Sequence, residues 1–216
     1  MAVDITKRET PAQGKSVINL DKRGSTLSLD KKTGFDKIVV NLNWNQGKPQ
    51  KVGFLKSLFG GESKTGVDLD LGCLFELKNG QKGCVQALGN AFGDYRNAPY
   101  IHLLGDDRTG ANQNGEFMWI NGAFFSQIKR IVIYAFIYEG VASWGETDGV
   151  ITVQTPGHDT IQVAMDSNAD LPLCAIAMIE NDHDNLKITK LVEFFSDQEK
   201  LDIAYGWNMN WSVGSK

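Results

Sequence analysis

From residue 16 onward, apolar and polar residues alternate in short runs separated by Gly, Asn and Asp. That is the period-two signature of half-buried strands. Residues 35–44, FDKIVVNLNW, place Ile38, Val40, Leu42 and Trp44 on one face. Residues 67–77, VDLDLGCLFEL, form another such run, turned by Asn79-Gly80 and returning at 85–88. Further strands are expected at 98–104, 117–120, 130–138, 150–154, 160–164, 173–180 and 186–195. The first two runs, 16–20 and 25–29, flank turn residues 21–24 and read as a hairpin. One helical turn fits NGAFFSQIK at 121–129. A true helix is expected after Ser196, where S-x-x-E with Glu199 makes a capping box and Gly206 stops the run. A last strand would follow at 207–213. The fold expected is mainly β: a two-sheet antiparallel β-sandwich with a long insertion loop and one short C-terminal helix.

Two stretches break the alternation. Residues 1–15 are polar and read as a flexible N-terminal lead-in to a single domain spanning 16–216. Residues 46–66 are rich in Gly and Lys around one apolar knot at 52–59, with Phe54, Leu55, Leu58 and Phe59 at helical spacing. A loop of that length is either a flap over a sheet edge or a contact surface.

Composition narrows the function. The chain has 216 residues with 42% hydrophobic and 22% charged, an ordinary globular profile. Its net charge of −4 argues against nucleic acid as a partner and suits an acidic, cation-collecting site. The three cysteines, Cys73, Cys84 and Cys174, form no CxxC and sit in apolar surroundings. They read as buried free thiols of a reducing compartment, which points to the cytoplasm. The N-terminus lacks the apolar core of a signal peptide, and no apolar run is long enough to span a bilayer.

The candidate chemistry is acidic. Asp68 and Asp70 lie two apart in one strand, so they share a face while Leu69 and Leu71 face the core. Two carboxylates held that way repel, and a hard cation relieves the repulsion. The alternative is a solvated outer strand face. A second element, GDDRTGANQNGE at 105–116, gathers Asp106, Asp107, Asn112, Asn114 and Glu116 among glycines. Such a loop lets oxygens converge, as calcium requires. It holds no His or Cys for zinc, and its order breaks the EF-hand pattern. The run 181–185, NDHDN, reads as a hairpin turn. Nucleophile-elbow, zincin and P-loop motifs do not occur. The five tryptophans read as core or rim aromatics.

The order GVDLDLG, LGNAFGD, LGDDRTG, opened by FDKIVVNLNW, resembles the TerD-type tellurium-resistance and stress-response family. The ending KLDIAYGWNMNW and the Lys/Gly/Phe-rich insertion are similar to its TerA branch. The resemblance covers roughly residues 16–211. It implies a β-sandwich whose acidic loops bind Ca²⁺, and a non-enzymatic role in bacterial cytoplasm. It also implies partners among other tellurium-resistance and stress-response proteins, some at the inner membrane face. By match it makes Asp68, Asp70, Asn90, Asp106 and Asp107 ligands, with Asn112 and Glu116 from the loop's continuation. The stretch ANQNGEF carries amides where relatives with strong sites carry acids, which implies weaker calcium binding here. Two other readings are a C2-like, calcium-dependent membrane-surface domain and a hydrolase using Asp68 and Asp70.

Overall fold

The computed structural model describes residues 16–31, 34–44, 68–104, 115–139, 144–165 and 169–211. The lead-in 1–15, the 46–66 insertion and loop residues 105–114 lie outside the described residues. The alternating runs form two sheets. The first has the order β1 (Val17–Asn19), β11 (Thr160–Ala164), β10 (Val150–Gln154), β3 (Lys37–Asn43), β8 (Glu116–Asn121), β7 (Ile101–Leu103), β6 (Gly93–Asp94). The second has the order β2 (Thr26–Leu29), β13 (Asn185–Phe195), β12 (Leu173–Asp182), β9 (Ile128–Glu139), β4 (Asp68–Leu77), β5 (Lys82–Val85). Neighbours run antiparallel, except β1 beside β11. The expected mainly β, two-sheet architecture is what forms.

Alternation builds the core. Ile38, Val40 and Leu42 of β3 meet Leu69, Leu71 and Cys73 of β4 between the sheets, all fully buried. The helical turn expected after β8 is a 3-10 turn over Gly122–Gln127. His183 and Asp184, both with positive φ, make the tight turn between β12 and β13.

The expected hairpin at 16–29 does not form. β1 pairs with β11, Val17 opposite Thr160, while β2 pairs with β13, Leu29 opposite Leu186. Residues 20–25 carry the chain from one sheet to the other. Leu20 N–H donates to Gln162 O at 2.9 Å in the first sheet, and Gly24 N–H to Lys190 O at 2.9 Å in the second. Turn residues reverse a chain locally, but strands pair with whatever surface long-range packing leaves open.

The outer face of the second sheet is not solvated. Leu74, Val132, Tyr134, Leu173 and Ala175 form a second apolar cluster with Leu201 and Trp207. Leu201 belongs to the helix α1 (Gln198–Tyr205), and Trp207 opens a strap, residues 207–211, that follows the helix's Gly206 cap. The helix cap is Asp197 rather than Ser196: its Oδ1 accepts from Lys200 N–H at 2.8 Å, and the Ser196 hydroxyl supports its other oxygen at 2.7 Å.

The expected last strand is absent among the described residues, and Asp202 is the reason. This carboxylate is only 1% exposed. It accepts the Asn208 N–H at 2.5 Å, the Met209 N–H at 2.9 Å and the Trp211 Nε1–H at 2.8 Å. Strap N–H groups that would enter a ladder are taken by one side chain. Glu76, 6% exposed, anchors the same layer from the sheet. It accepts from Lys129 Nζ at 2.8 Å and Arg130 Nε at 2.7 Å. Arg130 reaches on to the Tyr205 carbonyl at 2.8 Å and stacks over Trp207 at 3.8 Å from the ring centre.

Cys73 and Cys174 are buried as expected, whereas Cys84 is half-buried; all three are free thiols. Burial pushes each thiol up from its ordinary value, so all stay protonated near neutrality.

Candidate functional site

The site grows from one end of β4. Asp68 is its first residue and half-buried; Leu69 and Leu71 point into the core, fully buried. The ladder to β9 shifts between Asp68 and Leu69, with residue 138 the extra one on the partner strand. Asp70 projects to the outer face, yet only 8% of it is exposed. It lines a cavity of about 60 Å³ with Gln86, Leu88, Tyr134, Phe136 and Gln198. The carboxylate can sit so deep because its next same-face neighbour is Gly72. The Tyr134 ring lies directly on that glycine, where a Cβ would come within 2.5 Å of it. The Tyr134 hydroxyl donates to Gln86 Oε1 at 2.5 Å, and Gln198 Nε2 donates to the same oxygen at 3.3 Å. Burial, with Asp70 adding in the same direction, holds that hydroxyl well above its ordinary range, so it stays a donor.

Glu116 arrives from the other sheet. β5 pairs with β4 only as far as Val85 opposite Cys73. Beyond it the chain turns away through Leu88–Asn90, and the Leu71 N–H loses its ladder partner. The Glu116 carboxylate replaces that partner, accepting the Leu71 N–H through Oε2 at 2.6 Å. Glu116 is 5% exposed, and its own carbonyl accepts from Asn41 Nδ2 at 3.1 Å. Thus one carboxylate from each sheet is fixed beside the start of β4.

The acidic loop opens at the same corner. Leu104 N–H donates to Phe117 O at 2.9 Å, and Gly115 leads straight into Glu116, so both ends of 105–114 are pinned across β7 and β8. Gly115 has φ +72°, and a Cβ there would collide with the Leu42 carbonyl. Gly115→Ala is therefore expected to cost about 1–3 kcal/mol, read as a lower urea midpoint at unchanged slope. A cost within about 0.5 kcal/mol would show that the corner relaxes freely.

Of the residues expected at the site, Asp68 and Asp70 lie at the start of β4, and Glu116 bonds the main chain there at Leu71. Asn90 ends the Leu88–Asn90 turn beside the cavity with φ +56°, and it is exposed. Asp106, Asp107 and Asn112 lie outside the described residues. Among the described residues, no three His, Cys, Asp or Glu side chains form a metal-holding group. The donors present are oxygens only, the chemistry of a hard cation rather than zinc. The network behind Asp70 of buried Tyr134 with half-buried Gln86 and Gln198 was missed by sequence reasoning. No local pattern signals it, because its members come from three separate elements.

No family model matches the chain. It is 43% identical over 202 residues to the tellurium resistance protein TerA of an Alcaligenes species, which covers 93% of this chain. The chain belongs to the TerD-type tellurium-resistance family. It spans 59% of that TerA's length. Its fold resembles the crystal structure of a telluride-resistance (TerD) homologue from Streptomyces coelicolor A3(2), with a TM-score of 0.53 and 16% identity over 78% of this chain and 95% of that one. It also resembles a protein of unknown function, with a TM-score of 0.54 and 12% identity over 76% of this chain and 92% of the other. The acid-bearing corner is thus built on a TerD-type scaffold. Among the described residues no helix is long and apolar enough to cross a membrane.

Proposed function

We propose that this chain is a non-enzymatic, calcium-binding interaction module of a cytoplasmic tellurium-resistance and stress-response system. Its partners would be other proteins of that system. The observation that carries the reading is the corner itself. Glu116, buried at one fixed end of the acidic loop 105–114, accepts the N–H of Leu71, the residue that follows the nearly buried Asp70 along β4. Bound Ca²⁺ would take oxygens from Asp68, Asp70 and Glu116 and from Asp106, Asp107 and Asn112, tying the loop to the strand. Carboxylates held ionised by a cation make poor general acids, which favours binding over hydrolysis.

The test is thermal unfolding and calorimetric titration of metal-stripped protein. Calcium that binds the folded state alone should stabilise it by about 2.7 kcal/mol at a hundredfold excess over Kd. Magnesium should do less, since it demands octahedral geometry and keeps its waters. Asp70→Asn should abolish most of the calcium-dependent gain and cost much less in its absence. A variant as calcium-responsive as the parent would remove Asp70 from the site and this reading with it.

A further inference from the structure

β5 is the last strand of the second sheet. One edge pairs with β4, and among the described residues no strand pairs with the other. The ladder fixes what that free edge presents. Leu77 N–H donates to Gln81 O at 2.8 Å, so the inward-bonded pairs are Leu77 with Gln81, Phe75 with Gly83 and Cys73 with Val85. By alternation the main-chain groups of Lys82 and Cys84 point away from β4. The next residue of that outward row, Gln86, follows the rule: its N–H donates outward to Ala91 O at 2.9 Å. There the chain folds back and covers its own edge. At Lys82 and Cys84 none of the described residues does so.

That outward row opens into a groove of about 870 Å³. Its opposite wall is the start of α1, with Glu199, and the strap, with Met209 and Trp211; Leu88 lies at one end. Proteins usually blunt an exposed edge with a projecting lysine, a proline or a bulge. Here Lys82 lines the groove, but its ammonium is held against the strap, donating to the Trp207 carbonyl at 2.6 Å, and β5 holds no proline. What remains is a line of main-chain donors and acceptors at strand spacing, between an apolar end and an exposed carboxylate. Only another extended backbone matches such a line.

We propose that this groove docks an extended segment of a partner polypeptide, added as a strand along the outer edge of β5. An apolar side chain of the segment would lie against Leu88 and Trp211, and a basic one against Glu199. The site is separate from the acidic corner and does not require calcium.

The test uses the full chain, isotope-labelled, with three fluorescein-tagged octapeptides: alternating Val and Lys, alternating Val and Glu, and the Val/Lys peptide with its backbone N-methylated. The Val/Lys peptide is expected to bind at least about tenfold tighter than either control. It should slow hydrogen exchange at the Lys82 and Cys84 amides. Cys84→Pro removes the outward N–H without touching the bonds to β4, and edge strands accept proline there. It should weaken the Val/Lys peptide at least about tenfold. Glu199→Lys, an exposed helix position, leaves the sheet untouched and should reverse the preference between the Lys and Glu peptides. Equal binding of the N-methylated peptide would overturn the proposal, as would shifts centred on β1, β2 or β6. Concentration-dependent protection of Cys84 without peptide would also overturn it, because the occupant would then be a second copy of this chain.

Discussion

Replacing Asp202 with alanine should lower stability by about 3 kcal/mol and release the strap. The carboxylate is fully enclosed and accepts three N–H groups, from Asn208, Met209 and Trp211. Hydrogen bonds to a charged acceptor contribute about 1.5–3 kcal/mol each, but their losses do not add, since released donors regain water. The strap's firmest remaining hold is fully buried Trp207, whose Nε1–H donates to the Phe75 carbonyl at 3.0 Å under Arg130, while Met209 and Trp211 are only partly buried against the same cluster. The expected picture is therefore local: residues 208–211 detach while Trp207 stays seated. Urea unfolding gives the cost, and rapid hydrogen exchange at Met209 reports the release. Asp202→Asn keeps the shape but turns one acceptor into a donor, so it should fall between alanine and the parent. An alanine variant within about 1 kcal/mol of the parent, with Met209 still protected, would mean that packing alone holds the strap.

The second large effect is expected at Glu76, and it depends on pH. Burial pushes this carboxyl up, but the hydrogen bonds and charges of Lys129 and Arg130 outweigh it and hold the group below its ordinary value of 4.5. A carboxyl whose folded-state pKa is depressed stabilises the fold above its unfolded-state value. That contribution disappears as pH falls through the lower, folded-state value. Lys129 is 57% exposed and Arg130 21%, so Arg130 carries most of the pairing. Glu76→Gln is expected to cost about 2–3 kcal/mol at neutral pH, because it strands Arg130 between Tyr205 and Trp207. As pH falls from 4.5 through the lower, folded-state value the variant and the parent should converge. Chemical unfolding at several pH values measures both limbs; a difference that stays constant down to pH 3 would assign the loss to shape rather than charge.

The strands were legible because alternation is local. β10 and β11 fall where the period-two runs place them, and the turns at Asn79-Gly80 and His183-Asp184 follow from residue type. Pairing was not legible at the N-terminus, because the choice between β2 and β11 as the partner of β1 is made by residues far along the chain. Ser196 and Asp197 are both good cap formers, and one residue of register decides between them. At the site, period two placed Asp68 and Asp70 on one face and the core leucines on the other. That Asp70 is nearly buried could not be read, since its outer face looks solvated until α1 and the strap cover it. Glu116 was legible as an acid of the loop. Its bond to the Leu71 N–H was not, because it depends on where β5 stops. Asp202 and Glu76 carried no signal, for an acid in a helix or on an outer strand face ordinarily faces water.

The crossing at residues 20–25 governs the order in which the molecule can be completed as it is made. Val17 waits for Thr160, and Leu29 for Leu186, so neither of these strands has a partner until segments more than a hundred residues further along have been made. Contacts so distant form slowly, because loop closure costs entropy before any pairing repays it. Until then β3 and β4 present Val40, Leu42, Leu69 and Leu71 without the later strands that enclose them. Nascent chains of this topology expose their future interior during synthesis, when aggregation competes with folding. The strands that open this fold are thus paired only late, β1 in one sheet and β2 in the other.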